Sequence, residues 1–300
     1  MEILILGSEG FIGSHAVKYF KAKGYHVYCA DIVLMQAKDY FLINPERSDF
    51  SAIFLQKTFD VCINATGAAN VQLSFEHPSL DYTLNVANVH AILDTIRLHN
   101  PECKFINLSS AAVYGNPASL PISESSALNP LSPYGYHKLY SEQICREFYN
   151  FFNVPTISVR IFSAYGEGLQ KQIFWDLYRK IRDAKDSIEL FGTGNESRDF
   201  IYVTDLISAL DCIIQNATFD GSAINVASGV ESTIRQAVDH FIHVFDKKIE
   251  VNYAGKTKIG DPLNWRADIS RLKNLGFENQ VPLEKGIENY CKWVQEKKSR

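Results

Sequence analysis

The first thirteen residues constrain this chain most. Ile3 to Leu6 is a run of four apolar residues, and it leads directly into Gly7-Ser8-Glu9-Gly10-Phe11-Ile12-Gly13, followed by a helical pattern from Ser14 to Lys23. A short apolar run bounded by a turn signal reads as a strand buried on both faces. Glycines at these spacings allow a tight turn and a close approach of helix to strand. The same rhythm continues with apolar runs at His26 to Ala30, at Val61 (V-C-I-N-A), at Phe105 (F-I-N-L-S) and at Pro155 (P-T-I-S-V-R-I). Between them lie segments such as Asn88 to His99 and Tyr140 to Phe152, with apolar residues at three- and four-residue steps. Strands alternating with helices imply right-handed parallel crossovers, hence an α/β fold with a doubly wound parallel sheet. Counted in chain order, the run at Phe105 is the fourth strand.

The rhythm weakens after residue 166. Lys171 to Ala184 is amphipathic, Ile224 to Ala227 reads as one more strand, and the remainder reads as short helices and loops. The expected division is a sheet domain, residues 1–166 with 200–228, and a smaller mixed α/β lobe, residues 167–199 with 229–300. No internal repeat or low-complexity linker interrupts the chain.

Composition narrows the function classes. The 300 residues carry a formal net charge of -4 with no basic run, so there is no electrostatic footprint for a nucleic acid. The start, M-E-I-L-I-L-G, lacks the charged region and long apolar stretch of a secretory signal, and no apolar run reaches the roughly 18 residues of a membrane span. The six cysteines are scattered without a C-x-x-C, which argues against a metal site and for reduced thiols in a cytoplasmic protein.

A glycine loop between a strand and a helix lets backbone N–H groups approach a phosphate, with the positive end of the helix facing it. Gly7, Gly10, Phe11, Ile12 and Gly13 are therefore expected to hold the pyrophosphate of a dinucleotide in a Rossmann-type domain; a glycine turn without a ligand is the alternative. Asp31 closes the second strand, 18 residues after Gly13, where a carboxylate accepts ribose hydroxyls and repels a 2′-phosphate. No lysine or arginine follows until Lys38, which favours NAD over NADP. The competing reading of Asp31 is a helix cap.

The run at Phe105 ends in N-L-S-S-A-A-V-Y-G, and Tyr134-x-x-x-Lys138 follows 24 residues after Ser110. Four residues apart on a helix, Tyr134 and Lys138 share a face. A free phenol, with a pKa near ~10, is a poor base at neutral pH, and a nearby ammonium favours the phenolate. With Ser110 to hold an oxygen, the three residues supply what reversible hydride transfer at an alcohol needs. The bland alternative is a solvated first turn after a proline.

These residues, together with Ala69-x-Val71-x-x-Ser74, Pro78, Asn85-Val86, R-I-F-S-A-Y-G (Arg160 to Gly166), S-R-D-F-I-Y-V-T-D (Ser197 to Asp205) and A-D-I-S-R-L-K-N-L-G-F (Ala267 to Phe277), resemble the extended short-chain dehydrogenase/reductases. Within them the resemblance is to the NAD-dependent epimerase/dehydratase family of nucleotide-sugar enzymes, almost end to end. It implies that Ser110, Tyr134 and Lys138 are catalytic, that Lys138 also binds the nicotinamide ribose, and that Asn85 lines the cofactor's route. It further implies that Arg198 grips the substrate diphosphate, that Arg266 lies near a second arginine of the family, and that Phe191 packs near the nucleobase, against the alternative of a core phenylalanine. Ser110 and Tyr134 would contact the sugar. The resemblance also implies a nucleotide-sugar substrate and a homodimer.

Three departures from the family pattern stand out. Ser163 replaces the usual asparagine of the R-x-F-N motif, a position that helps hold the substrate phosphates. The acidic residue expected near the adenine is not evident, with Asp49 and Asn44 as candidates. The chain is short for a sugar epimerase. Dehydration of the sugar needs an acid–base pair just after the serine, and Ala111 and Ala112 stand there instead. The expected activity is C4 epimerisation through a transient 4-keto sugar. A 4-keto nucleotide-sugar reductase is the alternative, and a non-catalytic dinucleotide-binding regulator the remote one.

Overall fold

The computed structural model describes residues 1–44, 48–256 and 260–298. The first two-thirds alternate strand and helix: β1 (Glu2–Leu6), α1 (Phe11–Ala22), β2 (His26–Asp31), β3 (Tyr40–Leu42), α2 (Ser51–Gln56), β4 (Val61–Asn64), α3 (Val71–Glu76) and α4 (Pro78–Tyr82). A π-helical turn, Thr83–Ala87, leads into α5 (Asn88–His99), then β5 (Lys104–Ser110), α6 (Pro133–Phe152) and β6 (Thr156–Ile161). The remainder contains β7 (Ser163–Tyr165), α7 (Gln172–Asp183), β8 (Ser187–Leu190), β9 (Ser197–Tyr202), α8 (Val203–Asn216), β10 (Ala223–Val226), β11 (Glu231–Thr233), α9 (Ile234–Phe245), β12 (Glu250–Tyr253), α10 (Ser270–Asn274) and α11 (Leu283–Lys298).

Seven strands form one parallel sheet in the order β10-β6-β5-β4-β1-β2-β3. The chain builds outward from β1 to β3, returns to lay β4 beside β1, and builds the other way to β10. The order therefore reverses between β1 and β4, where a crevice opens at the strands' carboxyl ends. Alternate residues of β1 face opposite layers. Ile3 and Ile5 pack with Ala16 and Phe20 of α1 and Leu206, Leu210 and Ile213 of α8. Leu4 and Leu6 pack with Ile53 of α2, Ile92 and Ile96 of α5, and Phe148 of α6. This two-sided burial is why the strands read as continuous apolar runs. A third cluster joins Phe174 and Leu177 of α7, Phe241 of α9 and Tyr290 of α11, beneath the small sheets β11-β9-β7 and β12-β8.

Three expectations are corrected. The strand at Phe105 is the fifth, because β3 precedes it; with three residues on the sheet edge, β3 is too short to carry a pattern of its own. Helix α1 starts at Phe11, not Ser14, so Gly13 lies inside its first turn. The end of the chain is not confined to short helices: α9 has 12 residues and α11 has 16. Helix α9 opens with a Thr233–Gln236 capping box, which satisfies first-turn N–H groups.

The buried carboxylate of Asp199 in β9 gathers distant segments. It accepts from Ala267 N at 3.0 Å, Ser228 N at 2.9 Å, Ser228 Oγ at 2.8 Å and Gly229 N at 3.1 Å. Among the described residues no helix is long and apolar enough to cross a membrane, and no cluster of His, Cys, Asp or Glu is arranged to hold a metal.

Candidate functional site

The glycine loop lies at the carboxyl end of β1, beside the reversal of strand order. A Cβ on Gly13 would fall 2.0 Å from the Gly7 carbonyl oxygen, so only glycine lets α1 start this close to the strand. Gly10 caps α1 with no side-chain hydrogen bond, leaving first-turn N–H groups for a ligand. Phe11 and Ile12 are half-buried in that turn. Asp31 is nearly buried at the end of β2 and is not a helix cap. Its carboxylate accepts from Glu9 N at 2.9 Å and Ile32 N at 2.7 Å, pinning the glycine loop to β2. Oδ1 also takes Val33 N at 3.4 Å, while Oδ2, with one donor, retains acceptor capacity.

Asn85 sits in the π-helical turn, 1% exposed, and among the described residues neither its amide nitrogen nor its oxygen has a hydrogen-bond partner. Gly67 packs against it so closely that a Cβ there would lie 2.5 Å from Asn85 Oδ1. A buried amide left unpaired costs about 1–3 kcal/mol, which a ligand that pairs it recovers. With the glycine loop, Asp31 and Asn85 placed in this way, the residues present fit a dinucleotide.

Ser110 ends β5, and Tyr134 and Lys138 project from the first two turns of α6. The start of α6 is fixed by its sequence: Ser132 Oγ accepts from Gly135 N at 3.1 Å, and Pro133 takes a first-turn position where no N–H is needed. Tyr134 N donates to Ser74 Oγ at 3.1 Å, which ties the helix start to α3. The Ser110 hydroxyl accepts from Ala112 N at 3.1 Å and lies near enough to the Tyr134 phenol to favour its ionised form. Lys138 Nζ donates to Leu108 O at 2.9 Å and stands 5.9 Å from the centre of the Tyr134 ring. Burial pushes Tyr134 up to about 12; the nearby Ser110 hydroxyl opposes this and the Asp81 charge adds to it. Burial also pulls Lys138 down to about 8, against the carboxylates of Asp81 and Glu142. The structure thus brings Ser110, Tyr134 and Lys138 together. Ala111 is fully buried and Ala112 partly so, and neither carries a proton-transfer group.

The remaining predicted substrate residues come from the second half of the chain. Ser163 opens β7, paired with Phe200. Arg198 lies on β9, donates to Ser197 O at 2.8 Å and Leu263 O at 3.2 Å, and stands over Trp265 at 5.7 Å; burial pulls its pKa down. Arg266 is half-buried next to Trp265, its carbonyl accepting from Ile122 N at 2.7 Å. Phe191 is 57% exposed, which removes the core-phenylalanine alternative. Asp49 accepts from Ser51 N and Ser51 Oγ at the start of α2, and Asn44 is exposed.

Three residues near the centre were not found by sequence reasoning. Asp81 of α4 is 1% exposed and holds His137 Nδ1 at 2.6 Å, one position from Lys138. Lys171, just before α7, reaches the Ala69 carbonyl at 3.4 Å. Asp81 looks like an ordinary polar residue on a short helix and Lys171 like the solvated end of an amphipathic one. His137, within the Tyr134–Lys138 spacing, was the one visible signal.

Residues 3–227 match the family model described as NAD dependent epimerase/dehydratase family. The chain is 28% identical to UDP-glucose 4-epimerase 4 of Oryza sativa subsp. japonica, over 97% of this chain and 88% of that protein. It superposes with a TM-score of 0.89 on the UDP-glucuronic acid 4-epimerase of Bacillus cereus in complex with UDP-glucuronic acid and NAD, at 25% identity over 99% of each chain. A UDP-glucose 4-epimerase of Thermotoga maritima, 24% identical over 99% of each chain with a TM-score of 0.90, shares the fold.

Proposed function

Since the chain belongs to the NAD-dependent epimerase/dehydratase family and NAD is its cofactor, we propose that it epimerises a nucleotide sugar at C4 through a transient 4-keto sugar. One observation carries the reading: Ser110, Tyr134 and Lys138 meet at the strand ends, and the π-helical turn that carries the unpaired amide of Asn85 packs on α6. Gly7, Gly10, Phe11, Ile12, Gly13, Asp31, Asn85 and the Lys138 ammonium would hold NAD, which when bound supplies a hydride acceptor. Tyr134, as phenolate, takes the proton of the C4 hydroxyl while Ser110 holds its oxygen. The sugar then turns in the site, and Tyr134 returns the proton to the inverted alcohol. In the protein alone the phenolate is disfavoured by burial, so the step depends on positive charge brought near it, a role for which Lys138 stands 5.9 Å from the ring centre.

Arg198 and Ser163 are assigned to the substrate diphosphate, Arg266 to the same end, and Phe191 to the nucleobase. The exposure of Phe191 and the guanidinium fork of Arg198 support these roles. The division into a cofactor domain, residues 1–166 with 200–228, and a substrate lobe, residues 167–199 with 229–300, belongs to the same proposal. So does a homodimer, supported by Phe75, Leu80, Tyr82, Tyr136 and Tyr140, which are all exposed on α3, α4 and α6. The test is direct: incubate the purified protein with UDP-glucose and with UDP-glucuronic acid and follow the C4 configuration by proton NMR. Inversion with no added reductant, lost in Tyr134→Phe, is expected. Turnover only of a 4-keto sugar with reduced cofactor would replace the proposal with a reductase.

A further inference from the structure

Among the described residues, Lys171 is a cation without an anion. It stands just ahead of α7, where the next residue, Gln172, adopts a left-handed φ of 66°. Its ammonium reaches across 102 residues to the Ala69 carbonyl, at a long 3.4 Å. Ala69 lies in the loop between Gly67, packed on Asn85, and α3, whose Ser74 holds the Tyr134 backbone. The ammonium therefore stands on the wall of the proposed site. Lys171 is exposed as a residue, yet the protein surrounding its charged end pulls its pKa down, and its charge reaches Lys138 and opposes protonation there. Among the described residues no carboxylate forms an ion pair with it. Two ammonium groups that repel each other, one of them paired among the described residues with a carbonyl alone, make a place for a negative charge. Ala111 and Ala112 next to Ser110 bring no carboxylate to compete for it.

We propose that Lys171 binds a carboxylate on the sugar ring, so that the substrate is a nucleotide-linked uronic acid rather than a neutral hexose. This inference rests on the reading of the site as a nucleotide-sugar site. It is tested by calorimetric titration of the NAD-loaded protein with UDP-glucuronic acid, UDP-glucose and UDP. The wild type is compared with Lys171→Met and Lys171→Arg, and folding is checked by thermal melting. A charged hydrogen bond is worth about 10- to 100-fold in affinity. Lys171→Met is expected to weaken UDP-glucuronic acid by about that factor and to leave UDP-glucose and UDP within about threefold, while Lys171→Arg retains most of the affinity. Equal weakening of all three ligands would assign Lys171 to the diphosphate and overturn the proposal, as would unchanged binding of UDP-glucuronic acid. A wild type that binds UDP and UDP-glucose but not UDP-glucuronic acid overturns this inference alone. A wild type that binds none of the three overturns the underlying reading as well.

Discussion

Replacing Lys138 by methionine should make the protein more stable and less active at the same time. Lys138 is 7% exposed and held at about 8 instead of the usual 10.5. Protonating it in the folded state therefore costs about 3 kcal/mol more than in the unfolded chain. Below pH 8 both states carry the proton and the penalty is present in full. Between pH 8 and 10.5 the folded protein releases its proton while the unfolded chain keeps it, so stability rises with pH; above 10.5 both are neutral and the penalty is gone. Methionine fills the stem's volume and never pays this penalty, but the Leu108 carbonyl loses its 2.9 Å partner, which costs about 1 kcal/mol. The variant should gain about 2 kcal/mol at pH 7, read by urea denaturation, and the advantage should disappear between pH 8 and 10.5. Activity should move the other way. At the 5.9 Å spacing from the Tyr134 ring, and with an effective dielectric of about 20, the lost charge amounts to about 3 kcal/mol, or about 100-fold in rate at neutral pH. A variant that is less stable at pH 7, or whose stability difference does not change with pH, would refute the claim that the fold holds this ammonium at its own expense.

Three further substitutions probe other parts of the structure. Gly13→Ala forces a Cβ to within 2.0 Å of the Gly7 carbonyl, and the resulting displacement of the loop should weaken NAD about 10- to 100-fold in a fluorescence titration. Glu142→Leu strands the buried guanidinium of Arg160, which Glu142 meets at 2.7–3.2 Å; chemical denaturation should show a loss of about 3–5 kcal/mol, largely recovered in the double variant with Arg160→Met. Asp81→Asn removes a negative charge that opposes ionisation of Tyr134, so the acid limb of the pH–rate profile should move to lower pH.

The sheet and its glycine loop were legible because strands buried on both faces leave uninterrupted apolar runs, as in Ile3–Leu6 with alternate residues feeding two layers. Strand β3 was not, since three half-exposed edge residues have no period to detect. Tyr134 and Lys138 could be placed on one helix face from their four-residue spacing, but their catalytic pairing with Ser110, 24 residues upstream of Tyr134, came from the resemblance to the family. Asp81 and Lys171 were found by neither. Their significance lies in contacts spanning 56 and 102 residues, and a buried acid or an unpaired cation is recognised only once its surroundings are known. The start of α9 was readable in principle from the Thr233–Gln236 capping box, whereas α11 follows a loop-rich stretch and carries no such signal.

The position of Asp199 bears on how this molecule comes apart. One carboxylate collects N–H groups from residues 228, 229 and 267, so β9, the loop after β10 and the segment before α10 share a single acceptor. Detaching any of the three breaks at least one charge-assisted hydrogen bond in the interior, at a cost of about 1–3 kcal/mol per bond. The wall that carries Arg198 and Arg266 is therefore not a flap on a hinge. It should melt in the same cooperative step as the parallel sheet, and a protease should find no early cut between the two.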